Sequence, residues 1–253
     1  MAACTLTTFS VAEPLAEQCE RLRRELYGAL VTDDNGRVAT SADVLLFAVK
    51  PQILQAVCEE LAPQVQERRP LIMSIAAGPR IDDIESWLGG GLCVVRVMPN
   101  QPALVDQGVS ALIANSRADA SQRELAEKIM TAVGQVVWLE DEDLIDGVTA
   151  ISGTGPAYFY LLIDIMIEAG VRFGIDPQTA RTLAVETARG ASSLALAEQE
   201  PMKSLIDRVR SPGGTTTAAF EHLDAAGVRD IFAAAIDAAR ERAILLSGKA
   251  SRR

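Results

Sequence analysis

The sequence has few of the residues that metal centres and disulfide frameworks require. It contains one histidine, His222, and four cysteines, none of them in CxxC spacing: Cys4, Cys19, Cys58 and Cys93. Structural zinc sites need closely spaced cysteine and histidine ligands, so neither a metal site nor a disulfide framework is indicated. We expect the cysteines to be buried thiols in a reducing cytosol.

Basic charge is also scarce. Lysine and arginine number 24 against 34 aspartates and glutamates, which gives a formal net charge of -10. An acidic chain is a poor partner for nucleic acid or an anionic membrane. No basic apolar leader opens the sequence, and no apolar segment is judged long enough to cross a membrane. The sequence therefore predicts a soluble, cytoplasmic protein that acts on a small molecule.

Hydrophobic residues make up 49% of the chain, as in globular proteins. Up to residue 139, short apolar runs alternate with helical patterns, which favours a mostly parallel sheet with helices on its faces. The predicted strands are Thr5–Val11, Val44–Val49, Leu71–Ile75, Leu92–Val97, Val109–Ala114 and Val136–Leu139. The predicted helices between them are Leu15–Leu26, Pro51–Leu61, Ile81–Trp87 and Ser121–Thr131.

From residue 142 onward every segment has helical periodicity, which predicts two domains, residues 1–140 and 141–253. The predicted helices are Glu142–Val148, Pro156–Phe173, Pro177–Glu198, Met202–Val209, Thr216–Ala225 and Val228–Ser247. Several of them are apolar on more than one face and need burial. We expect a second copy of the chain to cover them in an obligate dimer at least. A self-contained helical bundle is the alternative.

The run Ser211-Pro212-Gly213-Gly214-Thr215-Thr216-Thr217 stands before one of these helices. Adjacent glycines bring backbone N–H groups close to a ligand, and a helix N-terminus favours a carboxylate or phosphate. The run is therefore a candidate anion-binding loop. A plain helix cap explains the same residues equally well.

Five motifs in order resemble those of the pyrroline-5-carboxylate reductase family. They are AVKPQ at 48–52, SIAAG at 74–78, RVMPN at 96–100, SGTGPAY at 152–158 and SPGGTT at 211–216. The resemblance implies an α/β fold in which a Rossmann-like doubly wound sheet precedes an all-α dimerisation domain. It also implies that NADPH or NADH transfers hydride to 1-pyrroline-5-carboxylate, giving L-proline.

Site residues follow from the resemblance position by position. The substrate carboxylate would be held by Ser211, Gly213, Gly214, Thr215 and Thr216. The cofactor would be lined by Asn35, Ala48, Val49, Lys50, Pro51 and Ala77, with Glu142 near the nicotinamide end. A cyclic imine is basic enough to arrive partly protonated, so Thr216 is expected to orient the substrate and not to store a proton. No metal is expected, and His222 is interpreted as a surface or capping residue.

The chain departs from the family pattern at its start. Thr5–Pro14 matches the family's second strand, and no GxGxxG turn is present, since only Gly28 and Gly36 precede Gly78. The predicted sheet is therefore incomplete: either neighbouring strands pair directly across the gap, or Thr5–Val11 is loosely attached. We expect the chain to bind a nicotinamide cofactor weakly or not at all.

Further alternatives concern the cofactor and the function. Ala12 and Glu13 at the end of the first predicted strand favour NADH over NADPH, because a carboxylate repels a 2′-phosphate. A catalytically impaired homologue, acting as an assembly partner or as a carboxylate-binding protein, is a second function. A reductase of hydroxy or keto acids is disfavoured, because the helical half places no lysine or histidine to protonate an alkoxide.

Overall fold

The computed structural model describes residues 8–248, and its contacts divide them into two compact units. The first unit contains residues 8–149 together with 241–248, and the second contains residues 150–240. The domains expected from the sequence, 1–140 and 141–253, remain a prediction.

All the strands of the described range lie in the first unit. They are β1 (Ser10–Ala12), β2 (Leu30–Thr32), β3 (Val44–Phe47), β4 (Leu71–Ser74), β5 (Val94–Met98), β6 (Gly108–Ala114) and β7 (Gly134–Trp138). The α-helices that accompany them are α1 (Ala16–Glu25), α2 (Asn35–Ser41), α3 (Pro51–Arg68), α4 (Ile81–Trp87), α5 (Ala120–Thr131) and α6 (Ile145–Val148). Two 3₁₀ turns, Gln101–Val105 and Glu142–Leu144, and a π-helical turn at Thr149–Gly153 complete the order up to residue 153.

The strands form two separate sheets. Five of them follow the order β3-β4-β5-β6-β7, with β3, β4 and β5 parallel and β6 and β7 running the opposite way. The other two, β1 and β2, pair in parallel with each other. Across residues 8–248 no ladder joins β1 or β2 to the five-stranded sheet.

Among residues 8–248, no strand pairs with the edge of β3 that faces away from β4, and this edge is open. The Asp43 and Phe47 carbonyls accept hydrogen bonds from β4 and the residue after it. Since backbone groups alternate sides along a strand, Val44 and Leu46 direct theirs away from β4. Likewise Phe9 accepts from β2, so Ser10 in β1 points its N–H and C=O outward. Direct pairing across the gap, one of the two expectations from the sequence, is absent among the strands that residues 8–248 form.

Two apolar layers cover the five-stranded sheet, one on each face. On one face, Leu45, Phe47, Ile72 and Val94 pack with residues of α3 and α4. On the other face, alternate strand residues such as Met73 pack with α5. Successive side chains of a strand point to opposite faces of the sheet. Because both faces are covered, neighbouring positions along a strand are apolar, which explains the runs rich in Leu, Ile and Val in the sequence.

The prediction that the cysteines are buried thiols is confirmed for two of the three described cysteines. Cys19 and Cys58 are buried and free, and Cys93 is half-buried and free. Burial, with a smaller contribution from Glu59, raises the pKa of the Cys58 thiol to about 12. Cys58 is therefore an unreactive core residue at neutral pH. Cys4 lies outside the described residues.

Most predicted strands and helices of the first half are present within a few residues. Two elements were missed, the three-residue strand β2 and the seven-residue helix α2. Of the predicted strand Thr5–Val11, residues 5–7 lie outside the described range and β1 covers Ser10–Ala12. Because β2 was not predicted, the pairing of β1 with β2 was not predicted either.

The second unit is helical throughout its regular elements. It contains α7 (Gly155–Arg172), α8 (Pro177–Ala197), α9 (Met202–Val209), α10 (Thr215–Ala225) and most of α11 (Val228–Leu246). α7 and α8 pack closely, since a Cβ on Gly170 would lie 3.0 Å from that of Ala180. Few of their residues are buried: α7 buries Gly155 and Gly170, and α8 buries Ala180 and Ala184.

One helical run in the described chain, Glu142–Arg172, has the length and apolar composition of a membrane-crossing helix. The expectation that no apolar segment reaches that length is therefore wrong. The sequence suggested a break between residues 148 and 156, but α6, the π-helical turn and α7 follow one another along the run. Length and composition alone are weak evidence for a membrane, because an apolar helix that another protein chain covers has the same properties.

The open edge of β3 predicts a contrast in hydrogen exchange within one strand. The amide protons of Val44 and Leu46 should exchange much faster than those of Leu45 and Phe47, which face β4. Exchange followed residue by residue by NMR measures this. Equal protection of both pairs would contradict the split sheet.

Candidate functional site

Two groups of the cofactor residues implied by the resemblance follow neighbouring strands. β3 leads through Ala48, Val49 and Lys50 into Pro51, the first residue of α3. β4 pairs in parallel with β3, and Ala77 follows it. Because parallel strands carry their carboxyl ends at the same edge, both loops lie at the edge where ligands of α/β sheets bind.

The start of α3 suits an anionic ligand. Lys50 is the N-cap residue, it is exposed, and its side chain makes no capping hydrogen bond. Pro51 at the first position has no N–H, and the remaining first-turn amides carry the positive end of the helix dipole. The Ile53 N–H donates to the Lys50 carbonyl at 3.1 Å, so what the loop presents is a lysine beside the positive end of a helix dipole.

The loop after β4 is held close to the C-terminal part of α11. Gly78 has φ +106°, and a Cβ there would lie 2.9 Å from the carbonyl oxygen of Leu246, in the same compact unit. A larger residue would meet both a backbone collision and an unfavourable φ. Ala77 beside it is half-buried.

Asn35 lies on a different part of the first unit. It is the first residue of α2, after Asp34, whose carboxylate accepts the Arg37 N–H at 3.0 Å. α2 follows β2 in the two-stranded sheet and packs against α3. Glu13, just after β1, accepts the Leu15 N–H at 2.9 Å. Asn35 and Glu13 thus belong to the strand pair that has no ladder to β3.

Glu142 is the centre of a buried ion-pair network. One carboxylate oxygen accepts from the Arg96 guanidinium at 2.8 Å and from the Ile81 N–H at 2.9 Å. The other lies 3.2 Å from the Arg80 guanidinium, which also pairs with Asp143 at 3.0 Å. The Glu142 side chain is 13% exposed. Glu142 is therefore already bound on both oxygens by the protein.

The two arginines of this network were not among the predicted site residues. Arg96 is 2% exposed, within β5. Its signal in the sequence is the charged residue in the otherwise apolar run Val94–Met98, because an arginine in a buried strand needs a partner. Both arginines pair with Glu142, which follows them by more than forty residues. The spacing of residues in the sequence therefore does not identify this partner.

In the second unit, the glycine-rich loop forms a tight turn. The Gly214 N–H donates to the Ser211 carbonyl at 3.0 Å, and the Thr217 hydroxyl donates to the same oxygen at 2.6 Å. Pro212 in the second position and Gly213 with φ +69° in the third are typical of a type II turn. The turn is set by local hydrogen bonds alone.

Gly214 is the N-cap of α10, so no side chain covers the amides of the first turn. An added Cβ would collide with the Ser211 hydroxyl and lie 3.1 Å from the Ser211 carbonyl oxygen. Thr215 and Thr216 are the first two residues of the helix, and Thr216 is half-buried. The structure thus brings Ser211, Gly213, Gly214, Thr215 and Thr216 together around one helix N-terminus.

The other site expectations concern metals and His222. Within residues 8–248 no cluster of three or more His, Cys, Asp or Glu side chains could hold a metal ion. His222 is exposed on α10, in agreement with its interpretation as a surface residue. The cofactor group lies in the first unit, and the carboxylate loop lies in the second.

The chain is similar in sequence to curated pyrroline-5-carboxylate reductases. The pyrroline-5-carboxylate reductase of Pseudomonas aeruginosa is 43% identical over 236 residues, which are 93% of this chain and 86% of that protein. The chain belongs to the pyrroline-5-carboxylate reductase family. The family model for pyrroline-5-carboxylate reductase dimerisation matches residues 142–246. A second model, for NADP oxidoreductases that are coenzyme F420-dependent, matches residues 7–78.

Solved structures of the family have the same fold. A pyrroline-5-carboxylate reductase from Coxiella burnetii is 39% identical with a TM-score of 0.87, covering 94% of this chain and 88% of that one. The Plasmodium falciparum enzyme, solved with NADP bound, is 29% identical with a TM-score of 0.81, covering 88% and 84%. These findings confirm the predicted family, its oxidoreductase class, and the α/β sheet followed by a helical region.

Proposed function

We propose that this protein reduces 1-pyrroline-5-carboxylate to L-proline with a hydride from NADPH or NADH. The observation that carries the proposal is the turn at Ser211–Gly214, which leaves the first-turn amides of α10 uncovered in a chain of this family. The proposal extends to a cytoplasmic location, in keeping with the small, soluble substrate.

The substrate carboxylate fits the N-terminus of α10. Ser211, Gly213 and Gly214 shape the turn. The N–H groups of Thr215 and Thr216 form part of the positive end of the helix dipole, where a carboxylate is favoured. A carboxylate that accepts several N–H bonds replaces most of the hydrogen bonds that it loses to water. This fixes one end of the ring, which leaves the imine carbon free to face the cofactor.

The reaction needs little acid-base chemistry from the protein. When bound, the reduced nicotinamide supplies hydride to the carbon of the protonated C=N bond, and the nitrogen keeps its proton as the amine forms. Thr216 can hydrogen-bond the ring nitrogen or the carboxylate and so orient the ring. We assign Thr216 this orienting role.

The cofactor is proposed to lie along the carboxyl ends of β3 and β4. Lys50 and the first-turn amides of α3 suit its phosphates, and Ala48, Val49, Pro51 and Ala77 present small or apolar surfaces to it. Asn35 is proposed for the adenosine side and Glu142 for the nicotinamide end. Glu13 favours NADH, because its carboxylate would repel a ribose 2′-phosphate.

Self-association is proposed as the reason for the apolar surface of α7. Among its exposed side chains, Phe159 is 59%, Leu161 53% and Ile165 50% exposed within one chain. Their burial against a second copy would remove a large apolar area from water. We propose at least a homodimer, with no membrane or nucleic acid partner, and the same burial explains why the run Glu142–Arg172 is so apolar.

The open edge of β3 favours a second function, that of a catalytically impaired homologue. Such a protein would act as an assembly partner for active subunits or as a carboxylate-binding protein. It would keep the turn at Ser211–Gly214 and the apolar helices, because neither depends on the sheet. Turnover by the purified chain separates the two functions.

The reductase proposal predicts substrate-dependent oxidation of NADPH. At millimolar NADPH, adding 1-pyrroline-5-carboxylate should accelerate the loss of absorbance at the nicotinamide band, with L-proline as product. Gly214→Ala should lower kcat/KM about 100-fold, because its Cβ displaces Ser211 and distorts the turn that exposes the α10 amides.

Gly190→Ala is the matched control for this substitution. Gly190 lies in α8 with open space around an added Cβ, so its variant should keep full activity. No acceleration by the imine in the unsubstituted chain would reject the reductase function. Equal activity of both variants would reject the role of the turn.

Nucleotide affinity should be low in this chain. The described residues carry no glycine-rich turn between a strand and a helix at the open edge of β3, so the pyrophosphate lacks its usual helix N-terminus there. We expect a dissociation constant on the order of millimolar for NADPH, measured by titration in NMR. A micromolar value from calorimetry would contradict this expectation.

Self-association predicts a dimer mass in solution. Sedimentation equilibrium should give about 54 kDa, twice the 27.0 kDa of one chain. Leu161→Glu should shift the mass toward the monomer, because a charge cannot be buried in an apolar interface without a partner. Tyr27→Glu changes a fully exposed residue of the first unit and should leave the mass unchanged. A monomeric parent chain would refute the assignment of α7.

A further inference from the structure

The buried network around Arg96 is not used by the proposed reaction. The Arg96 guanidinium donates to Glu142 at 2.8 Å and to the Gly78 carbonyl at 3.3 Å. Its side chain is 3% exposed. A group so enclosed does not reach a ligand in the crevice, so any effect on binding must pass through the groups that it holds.

Those groups come from two separate places in the chain. Gly78 lies in the loop after β4 and Ile81 begins α4 just beyond it, while Glu142 belongs to the 3₁₀ turn that follows β7. Arg96 binds the first and the last directly, and Glu142 binds Ile81 at 2.9 Å. One cation thus ties the loop after β4 to two neighbouring segments.

The loop that Arg96 holds has little space in which its backbone could move. Gly78 has φ +106° and lies so close to Leu246 that a Cβ would be 2.9 Å from its carbonyl oxygen. With the Gly78 carbonyl fixed by Arg96, the Gly78–Pro79 peptide has one orientation, and this restricts the loop that contains Ala77. Losing that bond would let the peptide rotate.

We propose that Arg96 is a positioning residue for the nicotinamide cofactor, acting through the Gly78 carbonyl and the Glu142 carboxylate. The inference rests on the proposed function, since it assumes that the loop after β4 contacts the cofactor. The effect is specific to one ligand: Arg96 governs the affinity for the nucleotide and does not affect carboxylate binding by the loop of the second unit.

The test compares Arg96→Met and Arg96→Lys with the unsubstituted chain. Titrations of NADPH and of L-proline, both followed by NMR, give two dissociation constants for each protein. We expect Arg96→Met to weaken NADPH binding about tenfold, because a misplaced loop loses its contacts, while L-proline binding stays within twofold. Arg96→Lys keeps the charge and reaches one acceptor, so it should lie between.

Arg117→Met is the matched control. Arg117 also donates to a glutamate that accepts a loop N–H: Glu85 binds Arg117 at 3.0 Å and the Gly91 N–H at 2.8 Å. That pair holds the loop before β5, away from the strand ends of the proposed cofactor site. Its loss should leave both dissociation constants unchanged.

Each result decides the inference. Unchanged NADPH affinity in folded Arg96→Met, or in Arg96→Lys where the methionine variant does not fold, would overturn it. Parallel losses of NADPH and L-proline binding would also overturn it, because they indicate general destabilisation. If the unsubstituted chain binds L-proline but no NADPH at millimolar concentration, the proposed function fails together with the inference.

Discussion

The parallel pairing of β3, β4 and β5 is the constraint on which the candidate cofactor site depends. It places the strand ends at one edge, so that the loops after β3 and β4 come together although Lys50 and Ala77 are far apart in sequence. The same pairing puts Arg96 level with Ser74 on the neighbouring strand, inside the sheet. A buried cation there requires an anionic partner, and Glu142 supplies it from beyond β7. Sheet geometry therefore determines both the crevice and the buried charges beneath it.

The open edge of β3 shows that packing and hydrogen bonding are satisfied separately in this sheet. Each face keeps a buried apolar layer, with Leu54, Ile72 and Val94 fully buried on one face and Met73, Val95 and Leu112 on the other. Those contacts need α3, α4 and α5, and none of them needs a strand beside β3. Backbone groups have no such substitute: an unpaired N–H or C=O that is shielded from water costs about 1–3 kcal/mol. The unit can thus keep its core while the strand order is interrupted, and the interruption falls beside the strand ends where a nucleotide would bind.

The sequence predicts the strongly patterned elements of this fold and fails at two short ones, β2 and α2. β4, β5 and β6 are mostly apolar, because both of their faces are covered, and all three are predicted. β2 has only three residues, too few for its periodicity to be recognised. α2 is as long as the predicted helix α4, but it begins at Asn35-Gly36, a pair more typical of turns. Site prediction divides in the same way. The glycines and hydroxyls of residues 211–217 form a local turn and could be found by inspection, whereas the partnership of Arg96 with Glu142 depends on the tertiary fold.

The two proposed binding regions, one in each unit, depend on interactions of different range. The carboxylate loop is set by two hydrogen bonds to one carbonyl, that of Ser211, within seven consecutive residues and one helix start. Such a turn forms wherever α10 forms. The nucleotide side depends on strands, loops and a buried ion pair brought together from residues 44 to 142, so a single open edge affects all of it. The proposed affinities for the substrate carboxylate and for the cofactor therefore depend on different parts of the chain. Evolution or mutation can weaken the second while the first, and the apolar helices beside it, persist.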